Sequence, residues 1–137
     1  MTEVDEMGPI DWILIEWPSQ QPSGEAVPHL LDLVDRGLVR IIDIAFIAKD
    51  DDGNTVALDL SAVPDEFDVF DGASADVIDD DDVAEAAAAL DNGTSAALIM
   101  WENSWAAPFA SAIRRNGGEV VASGRIPVAE LAAALGD

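Results

Sequence analysis

The run from Ala96 to Phe109, AALIMWENSWAAPF, is the most apolar in the chain, and it restricts the fold more than any other stretch. Its first part, Thr94 to Trp101, is predicted as a strand with apolar residues on both faces. Two other stretches share that property. In Pro9–Trp17 (PIDWILIEW), Trp12 and Leu14 point one way while Ile13, Ile15 and Trp17 point the other. Val39–Ala48 (VRIIDIAFIA) is likewise apolar on both sides. A strand of this kind is a central one, and its sheet needs cover on both faces.

Helical periods lie between these strands. Leu30, Leu33 and Val34 make an i, i+3, i+4 stripe within Gly24–Arg36, with Pro28 in the first turn and Gly37 just past the end. A second helix follows Asn103-Ser104, with Trp105, Phe109, Ala112 and Ile113 expected inward and Asn116-Gly117-Gly118 at its end. Asp50–Asn54 is predicted as a hairpin turn leading into a half-buried strand, Thr55–Leu60. Asp82 is expected to cap a helix over Val83–Leu90. Glu119–Ile126 is expected as a fifth strand, and Pro127 opens a short helix with Val128, Leu131, Ala132 and Leu135 on one side.

A weak repeat orders these elements. Trp12–Ile47 and Ala96–Ile126 each read strand, polar loop, helix, glycine, strand, and Pro28 stands before Gly37 as Pro108 does before Gly117. Two βαβ units predict an α+β, ferredoxin-like sandwich of about five mostly antiparallel strands, with the Trp12 and Ala96 strands paired in the centre and two extra helices. Residues 1–8 are expected to be a disordered tail. The rest, 9–137, is read as one domain that carries an acidic irregular insertion at 65–82, tacked down by Phe67, Val69 and Phe70.

Two main helices cover one sheet face, yet three strands are apolar on both. A second copy is the expected cover, because soluble monomers rarely expose large apolar patches. The chain is therefore predicted to form a homo-oligomer, with Trp12, Leu14, Ile42, Ile44, Ile99 and Trp101 as candidate interface residues.

Charge narrows the partners. Twenty-eight acidic residues face six basic ones, a net charge of -22, and Lys49 is the only lysine. Such a surface repels nucleic acid and anionic lipid. A solubility adaptation explains it most simply; a basic protein partner, or imitation of DNA through 65–91, is the sharper alternative. No stretch approaches the roughly 20 apolar residues of a membrane helix. The acidic N-terminus lacks the basic region of a signal peptide, so a cytoplasmic location is expected.

The segment Trp101-Glu102-Asn103-Ser104-Trp105-Ala106-Ala107-Pro108-Phe109, with Gly117-Gly118, GPIDWILIEWP and Arg36–Asp43, resembles an uncharacterised actinobacterial family, a domain of unknown function related to membrane or general-stress proteins. The resemblance covers nearly the whole chain and implies a loose link to stress, with no catalytic residue to carry over. The acidic 65–91 stretch stands where relatives often have a glycine-rich apolar segment.

Few residues offer chemistry. Glu102, Asn103, Ser104 and Trp105 form the candidate ligand site, at a strand-to-helix corner where free N–H groups suit an anion. The plainer reading makes Asn103 or Ser104 a helix cap and pairs Glu102 with Arg114 or Arg115. Asp50, Asp52 and Asn54 resemble the start of a calcium loop, but the glycine comes early and the twelfth position is Ser61. There is no cysteine, and His29 is the only histidine, so neither a metal nor another cofactor is expected. No phosphate loop or nucleophile elbow occurs. The leading expectation is a non-enzymatic, self-associating domain with a structural or interaction role; a small-ligand binder or carboxylate enzyme near Trp101–Trp105 is the alternative.

Overall fold

The computed structural model describes residues 7–72 and 77–136. It is a mixed α+β domain. Its elements are β1 (Ile10–Trp17), α1 (Val27–Asp35), β2 (Arg40–Lys49), β3 (Thr55–Leu58), α2 (Asp80–Ala88), β4 (Thr94–Glu102), α3 (Ala107–Arg115) and α4 (Val128–Ala134). Short 3-10 turns occupy Leu60–Ala62, Asp65–Phe70 and Ser104–Ala106.

Four strands form an open antiparallel sheet in the order β1-β4-β2-β3. The Trp12 and Ala96 strands are neighbours, as expected, with Ile13 opposite Ile99. β4 and β2 are the central pair, however, and β1 lies at an edge. The expected fifth strand is absent: residues 119–126 form no regular element and pair with nothing in the sheet.

Strand alternation divides the core in two. On one face Ile13, Ile15, Phe46, Ala97 and Ile99 meet Val27 and Leu30 of α1, together with Val63, Phe67 and Phe70. Phe67 sets its ring edge-on against Phe46, 4.9 Å between centroids, and so ties the acidic insertion to β2. On the other face Leu14, Ala45, Ile47, Ala96 and Leu98 meet Ile78 and the α2 residues Val83, Ala86, Ala87 and Leu90. The helices α1 and α2 thus lie on opposite faces, and α2, expected as one of the extra helices, is the one that covers the second face. The reason lies in the insertion: it supplies both the aromatic plug of the first face and the start of the helix that covers the second.

That helix is well specified at both ends. Asp79 accepts from the Asp82 N–H at 2.9 Å, and Asp82 accepts from the Asp79 N–H at 3.1 Å. This capping box uses aspartate at both positions, one turn earlier than the sequence suggested. Asp80, Asp81 and Asp82 sit at the positive end of the helix dipole. At the other end Lys49 Nζ donates to the carbonyls of Ala87 (3.1 Å) and Leu90 (3.0 Å). The chain's one lysine is spent on a helix terminus.

The repeat survives in the helices. α1 and α3 are each nine residues long with proline in the first turn. Gly37 (φ +73°) and Gly117 (φ +88°) follow them in the left-handed conformation that favours glycine. The units diverge afterwards, since α1 leads into β2 while α3 leads into the unpaired arm. The expected inward face of α3 also differs. Trp105 and Phe109 are 65% and 72% exposed, and Ala106 and Ser111 are buried instead. The helix sits at the end of the sheet rather than on a face. There the Trp105 N–H donates to Leu38 O and Arg114 Nη1 donates to Met7 O. Of the expected tail, residues 1–6 lie outside the described residues, while Gly8 is buried.

Candidate functional site

The corner at Glu102–Trp105 joins β4 to α3 beneath the start of β1. Glu102 is 5% exposed. Its Oε2 accepts from the Gly8 N–H at 2.7 Å, and its Oε1 accepts from Arg40 Nε at 2.8 Å. Burial pushes the Glu102 carboxyl up. The Gly8 hydrogen bond, the Arg40 guanidinium and the Ser104 hydroxyl together outweigh it and hold the group below the ordinary carboxylate range. The arginine is Arg40, across the sheet from Glu102 in the β2–β4 register, rather than Arg114 or Arg115. Sequence spacing could not supply that pairing, which depends on which strands adjoin.

Asn103 is equally committed. Its side-chain oxygen accepts from Trp101 Nε1 at 3.1 Å, and its amide donates to Asp11 Oδ2 at 2.8 Å and to Pro9 O. Its backbone N–H donates to Pro9 O at 2.8 Å. Asn103 thus fastens the entry of β1 to the exit of β4. Ser104 opens the 3-10 turn, and Trp105 projects outward. The four candidate ligand residues adjoin along the backbone, and the side chains of Glu102 and Asn103 turn to partners within the fold.

The candidate interface residues divide between the two sheet faces. Ile44, Ile99 and Trp101 pack with the α1 side of the core. Ile42 falls in an irregularity of β2, between the registered pairs of Ile41 and Asp43. Trp12 and Leu14 lie on the α2 side. Trp12 is 66% exposed, because α2 covers only the half of that face nearer Lys49. The uncovered half is a groove of about 350 Å³ with Leu14, Leu98 and Met100 in its floor, Trp12 at its mouth, and Asp82 and Glu85 on its rim. An apolar floor with an acidic rim suits an apolar partner segment. Such a surface also carries little polar chemistry for a reaction.

Asp43 was not singled out by sequence. It is 3% exposed at the β2 irregularity and accepts from the N–H groups of Ile44, Val77 and Ile78 at 2.8–2.9 Å. It places Ile78 against the second core. A lone aspartate inside an apolar strand was the available signal.

The Asp50–Asn54 segment is a hairpin turn. Asp50 Oδ1 accepts from the Asp52 and Asn54 N–H groups at 2.9 Å, and Gly53 has φ +87°. These bonds draw the Asp50 carboxyl below its ordinary range, the Asn54 backbone bond foremost. Among the described residues no group of three His, Cys, Asp or Glu side chains is placed to hold a metal, and no helix is long and apolar enough to cross a membrane.

The chain belongs to DUF6325, a family of unknown function whose model matches residues 6–137. No curated protein and no solved structure matches it.

Proposed function

We propose that the protein is a non-enzymatic, self-associating domain with a structural or interaction role in the cytoplasm. The observation that carries this is the apolar surface the fold leaves open: Trp12 beside the groove, Trp105 in the 3-10 turn and Phe109 on α3 are each about two-thirds exposed or more. Exposed apolar side chains of this size mark association surfaces where they join a larger apolar patch, as Trp12 does with Leu14, Leu98 and Met100. The polar groups at Glu102 and Asn103 are consumed by hydrogen bonds within the fold, so a ligand site near Trp101–Trp105 has less behind it. An acidic surface offered to a basic protein is a weaker reading, because Asp79 and Asp82 of the 65–91 stretch are occupied in capping α2. The link to stress proteins belongs to this proposal and rests on the resemblance at residues 101–109.

Acrylamide quenching of tryptophan fluorescence over a concentration series tests the reading. Self-association predicts falling quencher access as concentration rises, from Trp12 and Trp105. Access that stays constant from micromolar to millimolar concentration contradicts it.

A further inference from the structure

Resting on that reading, we infer that the C-terminal arm of one copy, residues 119–136, docks on a second copy, with 119–126 along the free edge of β1 and α4 in the groove between β1 and α2. Three independent features of the chain meet in this arrangement.

The first is the repeat. Residues 119–126 follow α3 as β2 follows α1, and their apolar residues include Val120, Val121 and Ile126, which are 75%, 89% and 69% exposed. This is strand-forming sequence without a strand partner. β1 is hydrogen-bonded only to β4, so its outer edge presents a row of unpaired backbone groups among the described residues. An extended segment added to that edge satisfies both sets.

The second is the stripe on α4. Val128, Leu131 and Leu135 share one side of the helix, and all three are exposed. A seven-residue helix is too short to persist in water by itself and gains its stability from the surface it packs against. The groove floor of Leu14, Leu98 and Met100 is that kind of surface, and it lies beside the same β1 edge.

The third is charge. Two copies at -22 each repel strongly. The charged residues of the arm are Glu119, Arg125 and Glu130, so it is nearly neutral and approaches an acidic body at the lowest electrostatic cost. Arg125 is the one base beyond α3, and the groove rim carries Asp82 and Glu85.

The absence of cysteine permits a direct test. Full-length Ala89→Cys, in the groove wall, is mixed with full-length Ala132→Cys, on the α4 stripe, and treated with a short bis-maleimide. The expected product is a cross-linked pair containing one chain of each kind. The unlinked Leu131→Asp/Leu135→Asp chain is expected to lose the oligomer and, of its far-ultraviolet spectrum, no more than the helical signal of the seven residues of α4. Three results overturn the docking mode while leaving self-association standing. These are an oligomer that does not cross-link between 89 and 132, cross-linking of Ala132→Cys to Ala112→Cys on α3 instead, and an oligomer that survives Leu131→Asp/Leu135→Asp. A double Ala89→Cys/Ala132→Cys chain that closes only within itself also overturns it. A chain that is monomeric before any substitution removes the underlying reading as well.

Discussion

Arg40 Nε donates to Glu102 Oε1 at 2.8 Å, joining the first residue of β2 to the last residue of β4. Glu102 is buried while the Arg40 side chain is half exposed. With the Gly8 N–H on its second oxygen, Glu102 binds three chain segments at one end of the sheet. Both carboxylate oxygens of Glu102 are thus engaged within the fold.

Acid should weaken this joint first. The folded-state Glu102 carboxyl titrates below its ordinary value, so it stabilises the fold above the unfolded carboxylate pKa of about 4.3. The stabilisation is lost as pH falls through the folded value. Glu102→Gln should cost about 1 kcal/mol at pH 7, since Arg40 is partly screened by water. The difference from wild type should shrink as pH falls from 5 towards 3. Urea midpoints measured across that range check both the size and the sign.

Gly8 packs so closely that a Cβ there would lie 2.2 Å from the backbone oxygen of Asn103. Backbone on both sides leaves little room to yield. Gly8→Ala should destabilise by about 2 kcal/mol, within the range for overpacking a tight site.

Lys49→Met keeps the apolar stem and removes the ammonium that Ala87 and Leu90 carbonyls share. The end of α2 should fray, with a cost of about 1 kcal/mol. Hydrogen exchange in Ala86–Leu90 should rise more than in α1.

Ser95 is fully buried between Trp17 and Ala48 in the sheet, and its hydroxyl has no hydrogen-bond partner among the described residues. Replacing it with alanine removes an unsatisfied polar group at almost constant shape. Ser95→Ala should raise stability by up to about 1 kcal/mol, read from the denaturant midpoint. A loss of stability would mean that the hydroxyl is satisfied.

Much of this fold was legible from local pattern. The runs in Pro9–Trp17, Val39–Ala48 and Thr94–Trp101 became β1, β2 and β4, and Pro28 with Gly37 bracketed α1 as their backbone preferences require. The Asp50–Asn54 hairpin and the buried Phe67 and Phe70 followed from composition in the same way, whereas Val69, expected to tack down the insertion with them, is exposed. Long-range choices were not legible. Apolarity on both faces marked β1 as central, yet β1 is an edge strand, because residues 119–126 found no place beside it. Trp105, Phe109, Ala112 and Ile113 were expected inward, but Trp105 falls in the preceding 3-10 turn and Phe109 and Ala112 are exposed, because periodicity does not say whether anything covers a stripe. Glu102 stood out as a polar residue at a functional kind of corner. Only the β2–β4 register reveals that Arg40 already occupies it.

The most direct measurement is the solution mass of the full chain by light scattering at physiological salt, repeated at low salt. The account predicts a defined oligomer, with a mass at least twice the 14.4 kDa of one chain. Its population should fall at low salt, where two bodies of net charge -22 are least screened. A monomer at both salt concentrations, up to millimolar protein, would contradict it.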